Sequence, residues 1–345
     1  MRTRSRKLIE KEETPPKVSV KHSPKKTGSS KVLIPEKQPS VAKLIKHDFS
    51  LGWFKPADIK YFLDDLAAKS NGRLDVEVIG QSNEGRDICM AIIRQNPAKP
   101  SSFGVFIECG SNGCDWLAIG AGLYLIDRLV KDQETVPQNA DYYVIPCSNP
   151  DAYENSFSPH SPLVDLSHNY PIQLGHRDVR KIPENSFQAA LLRWRRSYRF
   201  MRNECVAVMN GLLANMRNIK MFVSIQEGAS KPKILYPYGF CVEKVEDEGV
   251  VKEVAMAANR SSKDKLFGVS SVYEAAGVDF GNIVDFLQLS GRIKFNYVMH
   301  INDRRRKPKK QLINSLGAEV LTALKNMSEE AIKHLKDGKQ AISYV

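Results

Sequence analysis

Three side chains of the kinds that bind zinc lie far apart in the sequence: Asp115, His168 and His300. A carboxylate and two imidazoles are suitable ligands for a catalytic zinc ion, which takes three protein ligands and keeps a fourth position open for water. No local motif joins the three residues, so the fold would have to bring them together. A lone histidine is more often a hydrogen-bonded polar residue than a ligand, and the sequence leaves both interpretations open.

Clusters of basic side chains offer a second chemistry, which is attraction to anions. One cluster follows Asp303, and a shorter one lies in the Ser-Pro-Lys-Lys sequence near the N-terminus. Together they predict a basic surface made of Lys25, Lys26, Arg304, Arg305, Arg306, Lys307, Lys309 and Lys310. Such groups bind polyanions with an affinity that falls steeply with salt, so nucleic acid is a candidate partner. The alternative for the cluster after Asp303 is a solvated charged loop.

The charge and the hydrophobic residues divide the chain unevenly. The net charge is +12, and residues 1–45 contain twelve basic side chains against four acidic ones. Because this segment lacks apolar periodicity, the sequence predicts a disordered basic tail over residues 1–45. The remaining chain is rich enough in apolar residues for one buried core, which predicts a single domain over 46–337 and a C-terminal extension over 338–345.

The composition also gives an expectation for the compartment. No stretch approaches the roughly 18 consecutive apolar residues of a membrane helix, and the basic N-terminus is not followed by the apolar core of a signal peptide. The six cysteines are scattered and form no C-x-x-C motif. Scattered cysteines are typical of free thiols in a reducing compartment. The sequence therefore predicts an intracellular protein, nuclear or cytoplasmic, that is not secreted and contacts no membrane.

Apolar runs alternate with amphipathic segments along the predicted domain. Apolar residues at helical spacing predict a helix over Ala57–Lys69 and another over Leu117–Lys131, and the apolar run Phe103–Cys109 predicts a buried strand between them. Further strands are predicted near 75–79, 87–94, 141–146, 220–225 and 294–301, and further helices over 187–216 and 312–335. Residues 149–185 are predicted to be rich in loops. Strands that alternate with helices indicate an α/β domain around a buried mixed sheet.

Several sequence blocks resemble, in order, motifs of the zinc metallocarboxypeptidases of the carboxypeptidase A type. Ile79–Ile88 is similar to the hairpin motif G-x-S-x-E-G-R-x-I, and Asn149–Tyr153 is similar to N-P-D-G-Y with alanine in place of glycine. Leu235–Phe240 resembles L-Y-P-Y-G-Y, and Val272–Gly277 resembles I-Y-x-A-S-G. The resemblance covers roughly residues 46–337. It implies a single α/β domain with a twisted eight-stranded mixed sheet and helices on both faces.

The resemblance also implies where catalysis would occur, and each position differs here. The family's His-x-x-Glu zinc motif corresponds to Asn112 and Asp115, its second zinc histidine to Gln226, and its general-base glutamate to His300. Amide oxygens are weak ligands for zinc. Asp115 is one methylene shorter than glutamate, which withdraws its carboxylate by about 1.5 Å, whereas a metal site tolerates about 0.2 Å. We therefore expect no metal, no cofactor and no catalytic residue at these former positions.

Four further residues line the cleft that the resemblance implies. Ser167 and His168 stand where the family has the Asn-Arg pair that grips a substrate's carboxylate. Tyr273 matches the family's mobile tyrosine, and Val284 falls near the floor of its specificity pocket, although an insertion around residues 278–282 blurs the register. The cleft is thus expected to keep its place in the fold with altered chemistry.

Three functional hypotheses follow from the sequence. The first is a catalytically inactive carboxypeptidase-like protein whose cleft or basic surface binds a protein or peptide partner. The second is an active metallocarboxypeptidase that removes C-terminal residues with zinc held by Asp115 and histidines, although the family's geometry would place His300 on the general-base side of the cleft. The third is a nucleic-acid or chromatin-associated protein that binds through the basic tail and loop.

Overall fold

A computed structural model describes residues 53–132, 139–158, 164–171, 201–228, 231–261, 266–302 and 309–342, with side chains between 312 and 336 in the last range. The strands are β1 (Leu74–Gln81), β2 (Asp87–Ile93), β3 (Phe103–Cys109), β4 (Ala140–Ile145), β5 (Ile219–Glu227), β6 (Lys233–Tyr236), β7 (Gly268–Ser271) and β8 (Phe295–Ile301). The helices are α1 (Pro56–Lys69), α2 (Trp116–Lys131), α3 (Pro150–Asn155), α4 (Asn203–Asn215), α5 (Glu248–Ala257), α6 (Val272–Ala276), α7 (Ile283–Ser290) and α8 (Lys309–Ile342).

All eight described strands join one mixed sheet in the order β1-β2-β4-β3-β5-β8-β6-β7. The four central strands, β4, β3, β5 and β8, run parallel to one another. The antiparallel neighbours are β1 and β2, β2 and β4, and β8 and β6, while β6 and β7 are parallel. Because the parallel strands end at the same edge of the sheet, residues at the ends of β3, β5 and β8 lie close together.

Apolar residues cover both faces of the sheet. One face packs against α1, α2, α5 and α8 in a large hydrophobic cluster. The other face packs against α4, α6 and α7 in a smaller one. Successive side chains of a strand point to opposite faces, so strands buried on both faces are nearly continuous apolar runs, as in β3. The prediction of one α/β domain with helices on both faces of an eight-stranded mixed sheet is confirmed.

Close packing of α2 against α8 depends on residues without side chains. A Cβ atom at Gly120 in α2 would lie 2.9 Å from Ile313 of α8, and one at Gly317 in α8 would lie 2.5 Å from Tyr124 of α2. Glycine costs about 1 kcal/mol in a helix relative to alanine. Because these two glycines have no side chains, the two helix axes can approach closely enough to bury the long face of α8.

The predicted elements agree well with those observed, with three exceptions. The strands β6 and β7 and the helices α5, α6 and α7 were not predicted individually. Helix α3 lies inside the stretch predicted to be rich in loops, so that prediction is wrong for residues 150–155. Within the helix predicted over 187–216 only α4 is observed, because residues 172–200 lie outside the described ranges.

In the described part of the chain no helix is long and apolar enough to cross a bilayer. The predicted tail over 1–45 also lies outside the description, and the domain boundaries stay a prediction.

Candidate functional site

A row of polar side chains crosses one face of the sheet near the ends of the central strands. Gln226 of β5 pairs with His300 of β8, which in turn pairs with Lys233 of β6. Residues paired directly across strands share a face of the sheet. This is the face of the smaller hydrophobic cluster, so the polar row marks the end of that cluster and forms the floor of the candidate cleft.

A tight turn after β3 carries the first two positions predicted from the zinc motif. The side-chain oxygen of Asn112 accepts a hydrogen bond from the backbone N–H of Cys114 at 3.1 Å, and the Asn112 carbonyl accepts from the N–H of Asp115 at 3.0 Å. Asn112 also forms an antiparallel bridge with Asp165. The side-chain amide of Asn149 donates to the carbonyl of Ser111 at 3.0 Å. The turn is therefore fixed by hydrogen bonds within the chain.

Asp115 is a buried carboxyl group at the start of α2, with 3% of its surface exposed. Its Oδ1 atom accepts from the backbone N–H of Glu227 at 3.2 Å, while its Oδ2 atom has no hydrogen-bond partner among the described residues. Burial raises the pKa of Asp115 to about 8, and the nearby Glu227 carboxylate adds to the rise. Glu227 Oε2 accepts from the N–H of Leu117 at 3.1 Å, which satisfies one free N–H group at the N-terminus of α2.

Gln226 belongs to a chain of hydrogen bonds that ends at a second buried carboxyl group. Its side-chain amide donates to Ser224 Oγ at 3.1 Å, and Ser224 Oγ donates to Glu108 Oε2 at 3.1 Å. Glu108 is almost fully buried, and this burial raises its pKa to about 7. The side-chain nitrogen of Gln226 is thus engaged in the protein's own polar network.

His300, at the general-base position, is partly buried on β8 beside the loop that follows β5. A Cβ atom at Gly228 would lie 2.9 Å from His300 Cβ, so glycine is what allows the imidazole to occupy this place. Burial lowers the pKa of His300, and the positive charge of Lys233 lowers it further. At neutral pH the imidazole is therefore expected to be uncharged.

Ser167 and His168, which are predicted to line the cleft, form a linked pair. Ser167 Oγ lies 2.8 Å from His168 Nδ1, and His168 Nε2 lies 2.7 Å from Asp279 Oδ1. Asp279 comes from the inserted stretch between α6 and α7. The structure therefore joins two segments that are more than a hundred residues apart in the sequence.

The other predicted site residues have different surroundings. Tyr273 is partly exposed on α6, and its backbone N–H donates to the carbonyl of Tyr238 at 3.0 Å. Val284 is fully buried on α7 among the apolar residues of the smaller cluster. Of the predicted basic surface, Lys25, Lys26 and residues 304–307 lie outside the described residues, and Lys309 and Lys310 begin α8 without described side chains. The basic surface stays a prediction.

Four residues that join the hydrogen-bond networks of the predicted site residues were not themselves predicted from the sequence: Glu108, Ser224, Glu227 and Asp279. A sequence signal existed for the first two, because Glu108 and Ser224 are polar residues inside apolar strands, at positions that alternate onto one face. No sequence signal identified Asp279, since the insertion around it has no counterpart in the motifs.

The turn that carries Asn112 and Asp115 can be monitored through its own cysteine. Cys114 is exposed, whereas the other five cysteines are buried. Burial raises the pKa of Cys89 to about 11 and shifts those of Cys109, Cys147 and Cys205 upward. Only a thiolate reacts rapidly.

A thiol-reactive disulfide reagent is therefore expected to modify one thiol rapidly in the native protein and six after unfolding. Two or more fast thiols in the native protein, or a Cys114→Ser variant that retains the fast reaction, would contradict this arrangement.

The donors at the former zinc positions do not fit a zinc ion. Two are amides, and both are engaged with neighbouring groups of the chain. Across the residues whose positions are described, no three His, Cys, Asp or Glu side chains are grouped so that they could hold a metal. Asp115, His168 and His300 in particular have separate hydrogen-bond or packing partners. No catalytic step through zinc is derived from these residues.

The chain is similar in sequence and fold to several carboxypeptidases. It is 22% identical to carboxypeptidase A1 of Homo sapiens over 305 residues, which cover 80% of this chain and 70% of that protein. It is 26% identical to zinc carboxypeptidase A 1 of Anopheles gambiae, but over only 29% of this chain and 23% of that protein's length. The crystal structure of carboxypeptidase A from Helicoverpa armigera, 18% identical, matches 82% of this chain and 74% of its own chain with a TM-score of 0.66. This structural match shows that the chain has the same fold as that carboxypeptidase.

The relatives overturn the predicted location. They are mostly secreted carboxypeptidases, which contradicts the prediction of an intracellular, nuclear or cytoplasmic protein. The prediction was wrong because it rested on unpaired cysteines and on the residues at the start of the given sequence. Neither feature decides the compartment of a family whose members share this fold, and no compartment is assigned to this chain.

The family itself is established by the extent of the sequence match. The zinc carboxypeptidase family model matches residues 59–322, from α1 into α8 and through all eight strands. The matched region includes Asn112, Asp115 and Gln226, the residues predicted to stand at the family's zinc positions. The chain therefore belongs to the zinc carboxypeptidase family.

Proposed function

We propose that this family member is not a peptidase and that its cleft binds a peptide or a segment of a partner protein. The observation that carries the proposal is the donor set at the former zinc positions, where Asn112, Asp115 and Gln226 replace two imidazoles and a glutamate. Zinc-dependent hydrolysis requires three good protein ligands and an open water position. Without these ligands, the zinc-bound water that attacks the peptide bond is not generated.

The general-base position supports the same proposal. A glutamate takes the proton from the zinc-bound water in the reaction that the resemblance implies, and His300 stands in its place. An imidazole of lowered pKa is a weak base for a water molecule that no metal activates. The zinc ligands and the glutamate that would take the proton from the zinc-bound water are therefore both replaced.

The partly exposed polar groups on the cleft floor supply hydrogen bonds for a bound chain. Gln226, Lys233 and His300 lie in one row and are neither fully buried nor paired by a described salt bridge. An extended peptide presents donors and acceptors at regular spacing, which such a row can satisfy. These groups can therefore bind a peptide by hydrogen bonds without cleaving it.

The zinc content of the purified protein tests the proposal. The protein is prepared without a metal-affinity tag, incubated with excess zinc, dialysed and measured by elemental mass spectrometry. We expect far less than one zinc per chain. A stoichiometry near one that is lost in Asp115→Ala or His300→Ala would overturn the proposal and favour a metallocarboxypeptidase with an altered site.

A variant with restored ligands serves as the matched control. Asn112→His, Asp115→Glu and Gln226→His together replace the altered donors by those of the zinc motif. If the altered donors alone prevent binding, this triple variant gains zinc under conditions in which the wild-type protein does not. Release of a C-terminal amino acid from a blocked dipeptide is measured on both proteins, and no release is expected from the wild type.

A further inference from the structure

Outside the former zinc positions, the described residues include one linked set of a hydroxyl, an imidazole and a carboxylate: Ser167, His168 and Asp279. A hydroxyl, an imidazole and a carboxylate follow one another at 2.8 Å and 2.7 Å. A nucleophile within hydrogen-bond reach of a base, with the base oriented by a third group, is the general signature of an activated nucleophile. It is recognised by geometry and roles, whatever the order in the sequence.

Asp279 decides which imidazole nitrogen can act as a base. An ionised carboxylate only accepts hydrogen bonds, so His168 Nε2 must carry the proton that it shares with Asp279. In the neutral imidazole, Nδ1 then has the free lone pair and accepts the Ser167 hydroxyl proton. The arrangement therefore prepares His168 to take a proton from Ser167.

The backbone and a second side chain hold the set in place. The backbone N–H of Asp279 donates to the carbonyl of Gly239 at 3.0 Å, and Asn282 donates to Asp279 Oδ2 at 3.3 Å. The N–H of Ser167 donates to Asp165 Oδ1 at 2.9 Å. The His168 side chain is 35% exposed and that of Asp279 is 14% exposed, while Ser167 is 9% exposed.

We propose that Ser167 is a nucleophile that accepts small acyl or phosphoryl groups, with His168 as its general base and Asp279 as the residue that positions His168. In the first step Ser167 Oγ bonds to the electrophilic carbon or phosphorus, and its proton passes to His168 Nδ1. The leaving group departs with the electron pair of the broken bond, and an alcohol leaving group takes the proton from His168. Water then releases the acyl group by the same route in reverse. The reaction needs no metal and is independent of the peptide binding proposed above.

Covalent labelling with diisopropyl fluorophosphate tests the proposal on the full chain. In this reaction the Oγ–P bond forms, the P–F bond breaks, and fluoride leaves. A positioned general base contributes about 10²–10⁴-fold to a rate. We therefore expect Ser167 to be labelled at least about 100-fold faster than the exposed Ser158, with the two sites resolved by peptide mass spectrometry. Equal rates at the two serines would overturn the proposal.

Two variants separate activation from mere exposure. His168→Gln keeps a polar side chain of similar reach but removes the base, and it is expected to reduce labelling of Ser167 to the level of Ser158. Asp279→Asn is expected to move the midpoint of the labelling rate to lower pH, because an imidazole beside an amide holds its proton less tightly than one beside a carboxylate. Undiminished labelling in His168→Gln, with the native melting temperature retained, would show that His168 is not the base.

Discussion

Asp115→Asn is expected to remove a loss of stability that the wild-type protein undergoes as the pH rises toward 8. Burial raises the pKa of Asp115 from 3.8 to about 8 in the folded protein. Between these two values the folded carboxyl keeps a proton that the unfolded chain has released. The folded state then binds more protons than the unfolded state, so the free energy of unfolding falls as the pH rises. Above about pH 8 this contribution is constant.

The size of the effect follows from the displacement of the pKa. One pH unit inside this window corresponds to about 1.4 kcal/mol, so the difference between variant and wild type should change by roughly 3–4 kcal/mol from pH 5 to pH 8. Asparagine has the shape of the protonated carboxyl and keeps an oxygen that can accept from the N–H of Glu227. Glu108, whose pKa is also raised, is present in both proteins, and its contribution cancels from the difference.

Urea denaturation at pH 5, 6, 7 and 8 measures this prediction. The free energy of unfolding of the variant is expected to rise relative to that of the wild type at each step. This rise would show that the unfavourable charge is the one on Asp115. Asp64→Asn is the matched control, because Asp64 is an exposed carboxylate on α1 and belongs to a surface pair with Lys60. A difference between Asp115→Asn and wild type that stays constant with pH would mean that Asp115 is ionised in the folded protein at pH 7.

Gly113→Ala is expected to destabilise the protein by about 3 kcal/mol or more, although it adds one methyl group. A Cβ atom at this position would lie 2.5 Å from the carbonyl carbon and oxygen of Ala152 and 2.6 Å from its Cβ. Two of these three atoms belong to the backbone of α3 and cannot rotate away. Overpacking a rigid site typically costs about 1–3 kcal/mol and occasionally more. The turn carrying Asn112 and Asp115 would be pushed away from α3.

Ala152 itself suggests how the clash can be tested. It stands where the related motif has glycine. A methyl group added at residue 113 would overlap with the methyl group that Ala152 carries. Ala152→Gly is expected to rescue part of the loss, with a coupling energy of about 0.5–3 kcal/mol between the two sites. The rescue is incomplete because the backbone atoms remain.

Gly249→Ala is the control for the glycine-to-alanine change itself. Gly249 lies in α5, and a Cβ atom added to it would meet no atom within 4 Å, so alanine is expected to be neutral or to stabilise the helix by up to about 1 kcal/mol. The three single variants and the Gly113→Ala/Ala152→Gly double variant are compared by denaturant midpoints. A Gly113→Ala protein as stable as the wild type would show that α3 and the turn are not in contact.

The sequence by itself determined the fold, and it predicted altered residues at the family's zinc positions. Apolar runs such as β3 and amphipathic segments such as α2 depend on local periodicity, which the chain carries at each position. The ordered motif blocks added the family, which the family model confirms over residues 59–322. Residue identity alone also excludes good zinc donors at Asn112 and Gln226, because an amide has the same weak ligand chemistry in any fold.

Only the tertiary structure decided how these altered positions are occupied. The raised pKa of Asp115 depends on its burial at the start of α2 and on Glu227, which is over a hundred residues away in sequence. The contact between His168 and Asp279 likewise joins an early loop to a late insertion. Hydrogen bonds and desolvation depend on distances of a few ångströms, and such distances between remote segments are set by the packing of the whole sheet.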